Sequence, residues 1–100
     1  MLKVQETDNF KTWIRDLKDK IAQSIINARI RRISSGNFGD TKPVGGNVSE
    51  LRIDYGSGYR VYYTRRGREI IILLCGGNKS SQSRDIETAK QIADKLGGIV

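Results

Sequence analysis

The chain has 100 residues, of which 37% are hydrophobic and 29% are charged. This length leaves room for one hydrophobic core, so we expect a single domain over residues 1–100. No apolar run approaches the roughly 20 residues that cross a bilayer, and the N-terminus lacks the charged-then-apolar pattern of a signal peptide. We therefore expect a cytoplasmic protein that has no membrane partner.

The net charge of +7 comes from 18 basic and 11 acidic residues, and the chain contains no histidine. Residues 29–84 hold eleven basic and four acidic residues, so the whole excess lies in the middle of the chain. A basic surface attracts nucleic acid, anionic membranes or an acidic protein, and it can also serve solubility alone. Without histidine, any phosphate chemistry here must proceed without an imidazole group.

The only cysteine, Cys75, ends the apolar run IIILLC, and a single cysteine excludes a disulfide within the chain. A lone cysteine in such a run is typically a small buried hydrophobe. The Cys and His spacings of a zinc site are also missing from the sequence. We therefore expect neither a metal nor another cofactor.

The first third of the chain predicts a strand and two helices. Residues 2–6 alternate apolar and polar side chains, as a strand does, and residues 7–9 offer helix N-caps. Two apolar stripes at helical spacing follow, offset from each other across the polar residues 18–20, which favours a helical hairpin over one rod. Gly36 ends the second helix, because glycine adopts the left-handed conformation at low cost. The stripes comprise Phe10, Trp13, Ile14, Leu17 and Ile21, then Ala22, Ile25, Ile26, Arg29, Ile30 and Ile33.

Residues 36–47 contain four glycines and the only proline, which predicts a loop with a brief extended piece at residues 41–44. Residues 49–55 and 59–65 alternate around a glycine-rich turn and predict a β-hairpin. The run 70–75 is apolar on both faces, which is typical of an interior strand. The strand at residues 2–6 is its plausible second neighbour, so we expect four strands.

The last part of the chain predicts a helix that packs through one apolar stripe. Ser83 or Asp85 is the expected N-cap, and Gly97-Gly98 is the expected end. The stripe comprises Ile86, Ala89, Ile92, Ala93 and Leu96.

Alternation also groups the side chains that suit a phosphodiester. Arg52 and Arg60 lie on polar faces of neighbouring hairpin strands, so both guanidinium groups can converge on one anion. Tyr62 shares the face of Arg60 and could stack on a base, while Lys79 follows the third strand as a point charge. The alternatives are ordinary structural roles: pairing of Arg60 with Glu50 or Asp54, sheet packing for the tyrosine, and a solvated turn for the lysine.

These segments closely resemble the RelE/ParE toxin superfamily of bacterial toxin–antitoxin modules, within its HigB-like "addiction module killer" branch. The resemblance covers nearly the whole chain and implies an α+β fold. In that fold an N-terminal strand and helical hairpin pack on a twisted, mainly antiparallel four-stranded sheet, followed by a short C-terminal helix. The matching pieces are Glu50-Leu51-Arg52, Gly58-Tyr59-Arg60-Val61-Tyr62-Tyr63, Gly77 through Lys79, Gln82, and Asp85-Ile86 with Ala89.

The resemblance implies a ribosome-dependent endoribonuclease that cuts mRNA by attack of a ribose 2′-OH on the adjacent phosphate. On this implication Arg60 and Lys79 are the catalytic candidates, while Arg52, Tyr62 and Gln82 are the RNA-binding candidates. Glu50 is a candidate base, although a salt bridge to Arg52 is the favoured role. Asp85 favours a helix N-terminus through the helix dipole. Some relatives use histidine in catalysis, and this chain has none.

Two other functions remain open from the sequence. One is a ParE-like inhibitor of DNA gyrase that shares the fold but cuts no RNA, and the other is a basic RNA-binding module without catalysis. The cluster of Arg52, Arg60 and Lys79 favours the nuclease over both. The resemblance further implies a cognate antitoxin, typically with a helix-turn-helix domain, and mRNA and the ribosome as the other partners.

Overall fold

Five strands and three α-helices make up residues 1–97, the part of the chain that this computed structural model describes. Of the end Gly97-Gly98 expected for the last helix, Gly98 lies outside the described residues. None of the helices within residues 1–97 is long and apolar enough to cross a membrane. In chain order the elements are β1 (Lys3–Glu6), α1 (Asp8–Arg15), α2 (Lys20–Ile33), β2 (Thr41–Gly45), β3 (Val48–Ile53), β4 (Tyr59–Arg66), β5 (Ile70–Gly77), a short 3₁₀ turn (Lys79–Ser81) and α3 (Gln82–Gly97).

The helical hairpin forms as predicted, and each of its helices begins at a capping side chain. The Thr7 hydroxyl accepts a hydrogen bond from the Phe10 N–H at 3.1 Å, and the Asp19 carboxylate accepts from the backbone N–H of Ile21 and Ala22. Such caps satisfy N–H groups that have no partner inside the helix. The break between α1 and α2 covers residues 16–19 and so begins before the predicted polar stretch 18–20; Leu17 lies in the break, and Ile21, expected in the first stripe, lies in α2 and is 63% exposed. Gly36 follows α2 with a φ of +87°, the left-handed conformation expected of it.

The five strands form one sheet in the order β1-β5-β4-β3-β2. The strand β1 pairs in parallel with β5, and the other neighbours are antiparallel. The interior position of β5 is therefore confirmed, with β1 as its second neighbour. The predicted number of four strands is wrong, because residues 41–45 form a fifth strand on the edge of β3. The sequence TKPVG lacks a clear strand pattern, and its proline is tolerated because β2 lies at the sheet edge.

Two apolar layers cover opposite faces of the sheet. The α1–α2 hairpin packs on the face that carries Leu51, Val61 and Tyr63. The helix α3 packs on the other face, over Tyr62 and Leu74. The alternation predicted for β4 is confirmed, since its successive side chains enter different layers. The face under α3 is the one that also carries the polar residues singled out from the sequence.

The start of α3 differs from the prediction. Neither Ser83 nor Asp85 caps it, because the chain first makes the 3₁₀ turn and the Asn78 side chain caps that turn by accepting from the Ser80 N–H. The helix α3 then continues directly from Gln82. Asp85 lies in the first turn of α3, where a negative charge favours the positive end of the helix dipole.

Candidate functional site

Two arginines lie directly opposite each other at one end of the β3–β4 hairpin. The strand register pairs Arg52 with Arg60, so their side chains emerge on the same face as neighbours. Like charges in directly opposed positions destabilise a sheet unless something neutralises them. Each guanidinium has its own acidic partner: Arg52 Nη2 lies 2.9 Å from Asp40 Oδ1, and Arg60 Nε lies 3.6 Å from Glu50 Oε2. The register confirms that the two arginines share one face of the sheet, and their convergence on one anion stays a prediction.

Arg60 is the more tightly held of the two arginines. Only 13% of its side chain is exposed, against 40% for Arg52. Its Nη1 donates to the Gly58 carbonyl oxygen at 2.8 Å. Among the described residues, Arg60 Nε and Glu50 Oε1 are buried atoms without a hydrogen-bond partner. The guanidinium is therefore fixed in direction, and its hydrogen-bonding capacity is only partly used.

Glu50 is the hub that holds this end of the site. It is fully buried, and its Oε2 accepts from the Tyr62 hydroxyl at 3.2 Å and from Gln82 Nε2 at 2.8 Å. The favoured Glu50–Arg52 salt bridge is therefore wrong, since Glu50 pairs with Arg60 and Arg52 with Asp40. Buried charges in proteins need such partners, because removal from water is costly.

Tyr62 and Gln82 face the protein interior at this hub. Tyr62 is fully buried beneath α3, so its ring offers no open face on which a base can stack. Burial, and then the nearby charge of Glu50, raise the pKa of the Tyr62 phenol. Gln82 begins α3, and its side-chain amide donates a hydrogen bond to Glu50. The burial of Tyr62 corrects the expectation that its ring stacks on a base. Gln82 supports Glu50, and its contact with RNA stays a prediction.

Lys79 lies beside Arg60, on the far side of Gly58. It is exposed at the start of the 3₁₀ turn, and its backbone N–H donates to the Ser57 carbonyl oxygen at 3.4 Å. A Cβ built on Gly58 would lie 3.4 Å from Arg60 Nη1 and 3.5 Å from Lys79 Cβ. Lys79 takes part in none of the three ion pairs found within residues 1–97. Lys79 is therefore an exposed cation close to Gly58 and outside those ion pairs.

The paired arginines line a cleft of about 370 Å³. Two guanidinium groups and a nearby ammonium group are the groups that bind phosphate oxygens well. The cleft has no histidine, and its two aspartates lie at its rim, so the arrangement suits charge stabilisation more clearly than proton transfer. The lining residues are Asp40, Arg52, Ile53, Asp54, Gly58, Tyr59 and Arg60.

The sequence of this chain matches a known protein family. The sequence pattern of the phage-derived protein Gp49-like family matches residues 9–96. The chain belongs to the Gp49-like family. An uncharacterised protein of Haemophilus influenzae is 48% identical over 96 residues, which cover 96% of this chain and 97% of that protein. The Gp49-like family is one of addiction-module toxins of the RelE and HigB type, so membership indicates a toxin with an antitoxin partner.

The contacts of two residues in this Gp49-like site were not predicted from the sequence. Asp40 lies in the stretch read as a loop, and nothing in its neighbours signals that it pairs with Arg52. Glu50 was predicted to pair with Arg52, because alternation places both side chains on one face. The register sets Glu50 opposite Tyr62. Only the covering helix α3, which contributes Gln82, shows that this position is interior.

Cys75, on the same face, has the structural role predicted for it. Its side chain is buried among the residues beneath α3, and its thiol donates to the Asp85 carbonyl oxygen at 3.6 Å. Burial, with the nearby charge of Asp85, raises the pKa of the thiol to about 12. The thiol is therefore neutral at physiological pH and is not a nucleophile.

Proposed function

We propose that this Gp49-like toxin is an endoribonuclease that cuts mRNA on the ribosome, with the scissile phosphate bound at Arg60 and Lys79. The observation that carries the proposal is the anchored guanidinium of Arg60, held by Glu50 and the Gly58 carbonyl between two further cations. A cation that is fixed in advance stabilises charge that develops in a transition state without reorganising. Arg52 is the strand partner of Arg60 and Lys79 lies on the other side of Gly58, so a phosphodiester at Arg60 would have further cations nearby.

The proposed reaction is a transfer within the RNA strand. The ribose 2′-oxygen loses its proton to a base and forms a bond to the adjacent phosphorus, and the bond from phosphorus to the 5′-oxygen breaks. The 5′-oxygen takes up a proton, which leaves a 2′,3′-cyclic phosphate and a free 5′-OH. Arg60 stabilises the charge on the phosphate oxygens. Lys79 supplies the second cation and is the candidate for proton transfer, since the site has no histidine.

Arg52 has the role of orienting the RNA strand. Its ion pair with Asp40 is half exposed on both sides, and such surface pairs contribute only about 0–1 kcal/mol. A phosphate can therefore displace Asp40 at little cost. Arg60 differs, because its partner Glu50 is fully buried and stays in place when RNA binds. Arg52 can thus exchange its carboxylate partner for a phosphate, whereas Arg60 keeps its partner and its orientation.

Two partners follow from this proposal. The net charge of +7 favours long-range attraction to ribosomal RNA and mRNA. The antitoxin implied by the family would neutralise the toxin by placing an acidic or apolar segment over the basic face, and a helix-turn-helix domain is the expected remainder of that partner. A DNA gyrase inhibitor remains the second candidate, and it needs none of the cations to touch RNA.

The test replaces each catalytic candidate by alanine. We expect Arg60→Ala and Lys79→Ala each to lower the rate of mRNA cleavage by about 100-fold or more, because each removes a charge that stabilises the transition state. Cleavage is measured with purified ribosomes programmed with mRNA, by mapping of the cut ends. Growth arrest on induction should be relieved in parallel.

Matched controls are available elsewhere on the chain. Arg68→Ala and Lys42→Ala remove exposed cations of the same types, from the β4–β5 turn and from β2, and should leave cleavage unchanged. If the Arg60 and Lys79 variants cleave and arrest growth like the wild type while remaining folded, the proposed site is wrong. Intact mRNA together with double-strand DNA breaks would support gyrase inhibition instead.

A further inference from the structure

A second cleft, of about 490 Å³, opens at the end of β5 beside Arg60. It lies between the loop that follows α1 and the start of α3, and its volume falls within the about 300–1,000 Å³ typical of sites for small ligands. The resemblance and the family assign no function to it. The lining residues that matter here are Trp13, Lys18, Tyr59, Asn78, Arg84 and Asp85.

Two aromatic rings form the apolar part of this second cleft. The ring centroids of Trp13 and Tyr59 are 6.5 Å apart, at an interplanar angle of 60°, and both side chains are half-buried. The indole ring of Trp13 lies so close to the backbone of Gly76 that a Cβ at that position would overlap it. The indole is therefore held against the strand, while part of it still lines the opening. Fixed aromatic rings of this kind are platforms for nucleobases.

The rim of the second cleft carries polar groups of both kinds. Lys18 and Arg84 are exposed and take part in none of the three ion pairs found within residues 1–97. Asp85 supplies a carboxylate at the same rim. Asn78 uses its Oδ1 to accept from Ser80, and none of the hydrogen bonds found in the described part of the chain uses its Nδ2. Two cations and the amide N–H of Asn78 thus line the same cleft as the two rings, while Asp85 Oδ2 already accepts from the Ser81 hydroxyl.

The second cleft adjoins the proposed phosphate position. Gly77, which lines it, is the strand partner of Arg60. Tyr59 lines both this cleft and the cleft that contains the two arginines. The two clefts therefore meet at Tyr59, and a phosphate bound in the cleft of the two arginines lies next to the second cleft. One nucleoside attached to that phosphate can reach the rings.

We propose that the second cleft binds the nucleobase next to the cleaved phosphate, stacked on one of the rings of Trp13 and Tyr59 and in edge contact with the other. The proposal rests on the proposed function for the phosphate at Arg60. It also supplies the stacking group that Tyr62 cannot provide, since that ring is fully buried. The ligand is one base of single-stranded RNA, and stacking makes the site tolerant of base identity.

Trp13 is the only tryptophan of the chain, so intrinsic tryptophan fluorescence reports directly on the second cleft. The probe is an RNA dinucleotide whose 2′-OH at the cleavable bond is replaced by 2′-O-methyl, which prevents cleavage. We expect saturable quenching of the Trp13 emission as the dinucleotide binds. Ribose 5-phosphate, which has no base, and inorganic phosphate should leave the emission unchanged at the same concentrations.

Substitution of Tyr59 tests the second ring. Tyr59→Leu should weaken dinucleotide binding by about 5- to 150-fold, the factor that corresponds to about 1–3 kcal/mol of stacking. Tyr59→Phe keeps the ring and should bind like the wild type, and the same substitutions should change binding of inorganic phosphate little. If the emission is unchanged up to millimolar dinucleotide, or if inorganic phosphate quenches it equally, the proposal is wrong. Equal binding by the leucine and phenylalanine variants would also overturn it.

The fluorescence titration and the Arg60→Ala phenotype together distinguish failure of the base site from failure of the nuclease assignment. Quenching by the dinucleotide in a protein whose Arg60→Ala variant still arrests growth would leave the base site standing and remove the nuclease assignment. Loss of cleavage in Arg60→Ala without any response of Trp13 to the dinucleotide would keep the nuclease and remove the base site.

Discussion

At the scale of single residues, the site depends on a buried carboxylate. Glu50 gathers the Tyr62 hydroxyl, the Gln82 amide and the Arg60 guanidinium around one oxygen. An ion pair buried in this way contributes little net stability when it forms, but loss of one partner leaves a charge without compensation. Glu50 therefore matters for the direction in which Arg60 points and for the integrity of the layer beneath α3.

We expect Glu50→Ala to lower the free energy of unfolding by about 3–5 kcal/mol, because it leaves the mostly buried Arg60 charge and two polar side chains without their partner. Glu50→Gln should cost less, since its amide oxygen still accepts from Tyr62 and Gln82. Urea denaturation followed by circular dichroism measures both. Asp40→Ala is the matched control at an exposed pair and should change stability by at most about 1 kcal/mol. Equal losses for the Glu50 and Asp40 alanine variants would contradict the hub role of Glu50.

At the scale of elements, the end of β5 is where both helical layers approach the sheet. Gly76 admits the Trp13 ring from α1, and Gly77 admits the Asp85 carboxylate from α3. Neither glycine has a positive φ, so the requirement here is space and not backbone conformation. The two glycines thus let the second cleft and the start of α3 form at the same strand end.

We expect Gly77→Ala to destabilise the fold by about 1–3 kcal/mol, the usual cost of overpacking a tight site. The added methyl group would collide with the Asp85 carboxylate and approach the Ser81 hydroxyl. Thermal or urea unfolding of the single variants Gly77→Ala and Asp85→Ala and of the double variant measures the coupling. Gly77→Ala should cost clearly less in the Asp85→Ala background, and strictly additive losses would show that the collision is not the cause.

At the scale of the whole molecule, two titratable groups buried beneath α3 link global stability to pH. Burial raises the pKa of Cys75 to about 12 and also raises the pKa of Tyr62. In the unfolded chain a thiol loses its proton near pH 8.5. Between about pH 8.5 and 12 the unfolded state therefore binds fewer protons than the folded state, and stability falls as the pH rises.

We expect the free energy of unfolding to fall between pH 9 and pH 11, with Cys75 contributing up to about 1.4 kcal/mol per pH unit. Cys75→Ala should reduce the steepness of this fall by about that amount, although it also lowers stability at every pH by removing a buried side chain. Urea denaturation of both proteins at several pH values gives the difference. Because all other titrating groups are shared, an unchanged slope in the Cys75→Ala variant would contradict the raised thiol pKa.

The sequence by itself determined which residues share a face. Alternation over two short strands placed Arg52, Arg60 and Tyr62 together, and the register confirms that grouping. Helical spacing with a polar break predicted α1 and α2, and the doubly apolar run 70–75 predicted an interior strand. These features depend on side chains a few residues apart along one element, so the local pattern contains them.

Only the tertiary structure decided which of those shared positions reach solvent. The helix α3 covers the part of the face that carries Tyr62 and Glu50, while Arg52 and Lys79 stay open beyond it. The edge strand β2 and the Asp40 partner of Arg52 likewise depend on pairing with β3. Periodicity assigns a side chain to one face of a strand, but burial of that face depends on an element far along the chain. For this reason the sequence predicted that Arg52, Arg60 and Tyr62 share a face, and only the structure shows that Tyr62 is fully buried on it.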